Sequence, residues 1–208
     1  MTVSLTWSEY FWQFFEVSGQ AELHFDTTDK QDMTRHQVGQ LAEGWLRLIE
    51  LREGIELLIE KTQNRDRLIV ELPEKVRPLT WHFVLFGKQK TVDFISGRKA
   101  SISTSRGKFF LHGSGLLNRY TEDFTDTGPF FFVTIFVQPE VLRSFISDSS
   151  GELPLALKHL IGSSEMPCYK RVGKTSPMMN VLLQQILRCS YTGLTKRMYL
   201  ESKAIELL

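Results

Sequence analysis

The chain has 208 residues, of which 42% are hydrophobic and 24% are charged, and its formal net charge is +1. This is the composition of a globular protein with one large domain, and a net charge so near zero excludes the broad basic surface of a nucleic-acid-binding domain. The N-terminus has neither the basic region nor the cleavage site of a signal peptide, and no stretch reaches the roughly 18 uncharged apolar residues of a membrane span. The two isolated cysteines, Cys168 and Cys189, fit structural thiols in a reducing compartment, with a disulfide or redox switch as the alternative. We therefore expect a cytoplasmic protein that makes no membrane contact.

Residues 1–42 predict a helix followed by an arm. Thr6 and Glu9 have the spacing of a capping box, in which each side chain accepts a hydrogen bond from a first-turn N–H. Aromatic residues lie at helical spacing around this point, namely Trp7, Phe11, Phe14 and Phe15. We interpret them as core packing, with a docking surface as the alternative. Residues 18–39 are polar and without periodicity, which predicts a loop or mobile arm.

Residues 43–138 predict a β-rich body. Two apolar runs flank Arg52, Glu53 and Gly54, which is typical of two strands joined by a tight turn with Gly54 at positive φ. Short strands punctuated by glycines follow, and this pattern indicates a sandwich or small barrel. In the strand from residue 79 to 86, both alternating faces are largely apolar, which predicts burial on both sides. The run from Phe130 to Val137 is apolar except for Thr134, which predicts a central strand.

Residues 139–208 predict helices. Pro139 and Pro177 stand where helices begin, a short helix ends at Gly162, and residues 191–193 separate the helix that starts at Pro177 from the last one. The chain ends inside an amphipathic helix that has no cap, which favours an excised piece of a longer protein over a naturally short one.

The histidines do not have the pattern of a cupin metal site, which needs two histidines one residue apart on a strand. His82 has no such partner, and we interpret it as a structural histidine. His112 precedes a glycine-rich turn and could face the mouth of a pocket, although a loop position is the simpler interpretation. Nucleophile, phosphate-loop and dinucleotide motifs are absent from the sequence. We therefore expect no catalytic residue, no metal and no cofactor.

Aromatic residues make up 12% of the chain and cluster in the β-rich body. They predict a largely apolar cavity with polar groups at its rim, and a fully packed core is the alternative. Arg106 is a further rim candidate. The candidate ligand-binding residues are Trp45, Trp81, Phe83, Phe109, His112, Arg119 and Tyr120.

The C-terminal segment from Gln184 to Leu208 closely resembles the region that precedes the DNA-binding half of AraC-type transcription regulators, in the branch typified by the pyochelin regulator PchR. A second resemblance lies at residues 44–59, and the first forty residues match weakly. The matching positions in the tail are Gln185, Ile186, Leu187, Cys189, Tyr191, Gly193, Lys196, Arg197, Tyr199, Leu200, Glu201, Lys203, Ala204, Glu206, Leu207 and Leu208.

The resemblance implies an α+β fold, in which a cupin-like antiparallel β-barrel with a short N-terminal helix is followed by a C-terminal helical segment. It divides the chain into an N-terminal helix and arm (1–42), a sensor barrel (43–138) and helices (139–208) that lead toward an absent helix-turn-helix domain. It also implies a non-enzymatic sensor that binds a small-molecule effector, such as an iron–siderophore, and contacts DNA only through that absent domain.

Two other functions remain open from the sequence. A metal-dependent cupin enzyme would need a metal in the barrel. A pure interaction module would use an apolar helical surface to form a homodimer or an interdomain contact. The candidates for that surface are Leu182, Leu183, Ile186, Met198, Ile205 and Leu208, whose spacing is equally explained by packing on the barrel.

Overall fold

The computed structural model describes residues 2–6, 8–9, 22–39, 41–95, 98–124, 128–147, 153–163, 165 and 167–208. The capping box at the N-terminus is confirmed, because the Glu9 carboxylate accepts a hydrogen bond from the Thr6 N–H at 2.8 Å and the Glu9 N–H donates to Thr6 Oγ1 at 3.3 Å. The predicted aromatic stripe lies outside the described residues, as it consists of Trp7, Phe11, Phe14 and Phe15.

Fifteen strands are found among the described residues. They are β1 (Thr2–Thr6), β2 (Glu22–Asp26), β3 (Asp29–Val38), β4 (Ala42–Arg52), β5 (Ile55–Asn64), β6 (Arg67–Leu72), β7 (Lys75–Arg77), β8 (Leu79–Phe86), β9 (Lys88–Ile95), β10 (Arg98–Ser105), β11 (Lys108–His112), β12 (Gly115–Leu117), β13 (Tyr120–Phe124), β14 (Pro129–Val137) and β15 (Lys170–Lys174). The helices are α1 (Pro139–Ile146), a 3-10 helix (Leu155–Leu160), α2 (Pro177–Leu187) and α3 (Gly193–Leu207).

The strands form three sheets. The large sheet has the order β15-β11-β8-β14-β5-β4-β3-β2, the small sheet has the order β1-β6-β13-β9-β10, and β12 pairs with β7. Among the strands of the described residues, β1 and β6 pair in parallel and the other strand pairs are antiparallel. The predicted turn between β4 and β5 is confirmed, with Gly54 at a φ of 80°.

The central strand β14 shows how the large sheet separates two environments. Val133, Ile135 and Val137 face one side, where they join the core beneath the C-terminal helices. Phe130 and Phe132 face the other side and pack against the small sheet. Because successive side chains of a strand point to opposite faces, a strand such as β14 that is covered on both sides must be largely apolar on both. This requirement explains the continuous apolar runs in the sequence, and the predicted central position of the strand is confirmed.

Helices α2 and α3 cover the outer face of the large sheet. The Ser176 side chain accepts a hydrogen bond from the Met179 N–H and so caps α2, while Pro177 occupies the first turn, where its missing N–H costs nothing. The helix residues buried against the sheet are Leu182, Leu183, Ile186, Leu200, Ala204 and Leu207. The molecule therefore has three layers, in the order small sheet, large sheet, helices.

The predicted α+β cupin-like fold is confirmed with three corrections. First, the sheets face each other without closing into a barrel. Second, most of residues 18–39, predicted as a loop or arm, form the hairpin of β2 and β3, because pairing with β4 satisfies the backbone of these polar strands. Third, the C-terminal segment is not wholly helical, since β15 pairs with β11.

The sequence of β15 has no apolar pattern that would predict a strand, because its side chains contribute little to the core. Its close fit depends instead on Gly173, where an added Cβ would lie 2.3 Å from the Phe109 ring. Both cysteines are free thiols. Among the residues described above, no helix has the length and apolar character needed to span a membrane.

Candidate functional site

A cavity of about 240 Å³ lies between the large and small sheets. Its apolar walls come chiefly from alternate residues of β14 and from their neighbours across the gap, so it is built by the face of the large sheet that points away from the helices. The lining residues are Leu58, Glu60, Leu72, Lys75, Arg77, Thr80, His82, Gln89, Thr91, Thr104, Phe110, His112, Tyr120, Glu122, Phe124, Phe132, Thr134 and Phe136.

Two histidines stand in the cavity wall. His82 on β8 lies opposite Thr134 on β14, and its Nδ1 is 2.8 Å from the Thr134 hydroxyl. The other ring nitrogen of His82, Nε2, is buried and has no hydrogen-bond partner. Burial, together with the charge of Arg77, lowers the pKa of His82 to about 4, so the ring is neutral at physiological pH.

Arg77 and His112 form the second polar pair. A guanidinium can only donate hydrogen bonds, so its 3.4 Å contact with His112 requires Nδ1 of that histidine to be the unprotonated acceptor. Burial and the adjacent Arg77 charge hold the pKa of His112 well below its usual value, in agreement with this tautomer. The Nε of Arg77 is itself buried without a hydrogen-bond partner.

Two carboxyl groups complete the polar lining. Burial, and then repulsion by Glu122, raises the pKa of Glu60 to about 7. Burial also raises the pKa of Glu122, although the charges of Arg77 and Lys75 and a hydrogen bond with Gln89 oppose the rise. Lys75 stands at the exposed end of the lining, on β7. The cavity therefore combines the Arg77 guanidinium, and Lys75 at its exposed end, with two carboxyl groups whose pKa values are raised, that of Glu60 to about 7.

The structure brings only two of the seven predicted ligand-binding residues to the cavity, His112 and Tyr120. His112 lies at the end of β11 and not in a loop. Trp81, Phe83 and Phe109 instead pack against one another under the helices, with ring centroids 5.7–6.1 Å apart. Their odd-numbered positions place them on the outer face of the large sheet, opposite the cavity-lining residues of β8 and β11.

Three further predicted positions also lie away from the cavity. Trp45 packs edge-on against Phe131, at a centroid distance of 6.3 Å, on the helix-covered face. Arg119 is exposed and pairs with Glu71 at 2.6 Å. Arg106 is exposed in the turn between β10 and β11.

Apart from His112 and Tyr120, the polar residues of the cavity were missed because their sequence signal is weak. His82 and Thr134 are polar residues in strands that are otherwise mainly apolar. Only the pairing of the two strands shows that these residues lie directly opposite each other. Glu60 and Glu122 belong to strands of different sheets, so only the tertiary structure shows that they share a cavity.

The residues of the cavity do not fit a cupin-type metal centre. Within the described part of the chain, no three side chains of histidine, cysteine, aspartate or glutamate converge as a metal site would require. His112 already accepts a hydrogen bond from Arg77 through Nδ1, and the positive charge of that arginine opposes a cation at the same place.

Helix α3 is held to the hairpin of β2 and β3 by buried charges. Lys196 is 2% exposed and donates hydrogen bonds to Asp26, at 2.6 Å, and to Asp32. Arg47 on β4 binds both carboxylate oxygens of Asp32, at 2.8 and 2.5 Å. Arg197 contacts Asp29 at 2.9 Å. The matched residues Lys196 and Arg197 therefore dock the last helix onto the sheet.

Comparison with known proteins gives one family match. Residues 43–208 match the family described as the regulatory protein PchR N-terminal domain. No characterised protein sequence matches the chain significantly.

Solved structures resemble the chain in fold alone. ToxT from Vibrio cholerae is 10% identical, with a TM-score of 0.45 over 72% of this chain and 54% of that one. An oxalate decarboxylase from Bacillus subtilis is 14% identical, with a TM-score of 0.37 over 57% of this chain and 30% of the other. A second oxalate decarboxylase structure is 12% identical, with a TM-score of 0.35 over 58% and 28%. The chain thus spans less than a third of either decarboxylase.

Proposed function

The chain belongs to the family of regulatory protein PchR N-terminal domains, and on this premise we propose that it is the effector-sensing domain of an AraC-type transcription regulator. The regulator would contact DNA through a separate helix-turn-helix domain and would work in the cytoplasm. In this proposal residues 43–138 form the sensor body and residues 139–208 carry the output. The observation that carries it is the cavity between the sheets, which has unpartnered buried polar atoms at His82 and Arg77.

The cavity and the C-terminal helices lie on opposite faces of the same strands. Strands β5, β8 and β14 line the cavity with one face and support α2 and α3 with the other. A ligand that binds better to one arrangement of these strands shifts the population toward it, and the helices packed on the opposite face move with them. Phe132 and Val133 illustrate the connection, since these adjacent residues face the cavity and the helices respectively.

A cavity-filling substitution tests the proposal. Thr91 lines the cavity from β9, whereas Thr121 on the neighbouring β13 does not line it. We expect small-molecule fractions of a cell extract, and ferric siderophores, to raise the melting temperature of the wild-type chain. Thr91→Phe should abolish that rise because its ring occupies the cavity, and Thr121→Phe should retain it. An effector that stabilises both variants equally would contradict the assignment of the cavity.

An iron–siderophore is the finer proposal that the resemblance suggests for the effector. The described cavity residues offer no ready set of metal ligands, so such an effector would have to bring its iron fully chelated. Parallel titrations with a ferric siderophore and with its iron-free form test this idea. Equal stabilisation by the two forms would remove iron from the recognition.

A homodimer, or a contact with the DNA-binding half, is a further proposal for the exposed face of α3. Leu194 and Met198 are 64% and 63% exposed, and Ile205 continues the same helical face. Leu182, Leu183 and Ile186 are buried against the sheet and are not available for this contact. Light scattering of the wild type and of Met198→Glu tests the dimer, and a monomer in both cases would remove it.

A metal-dependent cupin enzyme is the alternative function. Elemental analysis of the purified chain distinguishes it from a sensor, because stoichiometric iron, zinc or manganese would favour the enzyme.

A further inference from the structure

We propose that the cavity selects a small aromatic carboxylic acid, whose carboxylate is held by Arg77 and whose ring packs among the cavity phenylalanines. The inference rests on the proposed sensing function and names the chemical class of the effector and the residue that recognises it.

The Arg77 side chain supplies a cation with an unsatisfied hydrogen-bond donor in the cavity wall. Its Nε–H is buried and unpartnered, and its hydrogen bond to His112 goes to a neutral ring. A guanidinium keeps its charge at any physiological pH, and a buried donor without a partner is costly. A carboxylate in the cavity would accept from this Nε–H and neutralise the charge, because the planar guanidinium matches carboxylate geometry.

The other ionisable groups favour an anion over a cation. Glu60 and Glu122 are half-buried in the cavity wall, and burial raises the pKa of both, so each carboxyl group takes up a proton more readily than it would in water. Arg77 cannot lose its charge. An arriving anion is therefore met by a fixed positive charge and by carboxyl groups that can become neutral hydrogen-bond donors.

The apolar lining of the cavity favours a ligand whose non-ionic part is an aromatic ring. Phe110, Phe124, Phe132 and Phe136 line the cavity, and aromatic rings pack well against phenylalanine side chains. His82 adds an unpartnered Nε2 beside Phe132, with ring centroids 4.7 Å apart, where a polar ring substituent could bind. At about 240 Å³ the cavity is smaller than the roughly 300–1,000 Å³ of ordinary ligand pockets, which limits the part of an effector that enters it to about one substituted ring.

Three single-ring probes of equal size test the class. Benzoate is an anion, benzamide is its neutral counterpart and benzylamine is a cation. Calorimetric titration of the 208-residue chain should show binding of benzoate, with at least tenfold weaker binding of the other two, since each lacks the charge that Arg77 requires. Stronger binding of benzylamine, or binding of none of the three, would overturn the proposal.

Substitutions of Arg77 test whether this residue binds the carboxylate. Arg77→Gln should weaken benzoate binding by about tenfold or more, and Arg77→Lys should restore part of it, because lysine keeps the charge without the planar fork. Arg119→Gln is the matched control on an exposed arginine outside the cavity, and should bind benzoate as the wild type does. Circular dichroism and a melting curve establish that each variant is folded. Benzoate binding that Arg77→Gln leaves unchanged would contradict the assignment of the anion to Arg77.

The ligand class and the sensing function can fail separately. If the Thr91→Phe variant loses the response to cell-extract fractions while benzoate does not bind the wild type, the cavity senses a molecule of another class. If benzoate binds through Arg77 but Thr91→Phe leaves the extract response unchanged, the site is real and the effector of the proposed regulator binds elsewhere.

Discussion

Glu60 is a cavity side chain whose protonation depends on its surroundings. Its folded-state pKa of about 7 stands above the unfolded value of 4.5. Below pH 4.5 both states are protonated. As the pH rises from 4.5 to about 7, the unfolded chain releases this proton while the folded chain retains it, so the free energy of unfolding falls across that window.

Glu60→Gln should remove this pH dependence, because glutamine is neutral at every pH. We expect the variant to exceed the wild type in free energy of unfolding by up to about 3 kcal/mol at pH 8, and to differ little from it at pH 4. Urea denaturation at both pH values measures the difference. The matched control is Glu56→Gln, at an exposed position of the same strand. A gain that is equal at pH 4 and pH 8 would show that charge on Glu60 is not its source.

The docking of helix α3 depends on a few buried charges. Burial lowers the pKa of Lys196, but the hydrogen bonds that it donates to Asp26 and Asp32 outweigh this and raise the pKa overall. Burial likewise raises the pKa of Asp32, and the hydrogen bonds from Arg47 and Lys196 reverse this effect. The pKa of Asp26 is also lowered, chiefly by Lys196. These two aspartates therefore contribute stability that is present above their unfolded pKa of 3.8 and is lost as the pH falls below it.

Lys196→Met should destabilise the chain by about 3 kcal/mol, because it removes two charge-assisted hydrogen bonds, to Asp26 and to the buried Asp32, and leaves Asp32 with Arg47 alone. Amide hydrogen exchange should also show faster opening of α3 and of the hairpin formed by β2 and β3. Arg52→Met is the matched control, since Arg52 makes a largely exposed ion pair to the same helix, at 3.2 Å from Glu201, and should cost less than about 1 kcal/mol. Equal losses in the two variants would mean that the buried pair contributes no more than the surface pair.

The three-layer arrangement makes the helices part of the folded core. The outer face of the large sheet is apolar along β5, β8 and β14, and α2 and α3 remove it from water. The helices are thus required for the stability of the β-rich body, and any movement that follows effector binding must keep this face covered.

Leu183→Glu tests this dependence. Leu183 is 1% exposed, and a carboxylate buried there without a partner should lower the free energy of unfolding by more than about 4 kcal/mol and expose the sheet. Val181→Glu introduces the same charge on the same helix at a position that is 51% exposed, and should change stability by about 0.5 kcal/mol at most. Denaturation curves and binding of a hydrophobic dye measure both effects. A folded, dye-negative Leu183→Glu variant would contradict the layered core.

The sequence by itself determined the local structure of this protein. Runs that are apolar on both faces predicted β8 and β14, Gly54 predicted the turn, and Pro177 marked the start of α2, because these signals act between residues close in the chain. The tail around Lys196 and Arg197 also carried the family assignment. The weakly apolar strands β2, β3 and β15 were missed, because pairing with neighbours holds them and their own side chains do not.

Only the tertiary structure decided which face of the large sheet lines the cavity. The two-residue alternation of side chains shows which residues of a strand share a face, but it does not show which layer of the molecule covers each face. The aromatic residues Trp81, Phe83 and Phe109 therefore lie under the helices, while Glu60, Arg77, His82 and Glu122 meet in the cavity. Their pKa shifts and unpartnered atoms arise from that meeting, because burial and neighbouring charge are properties of the packed layers.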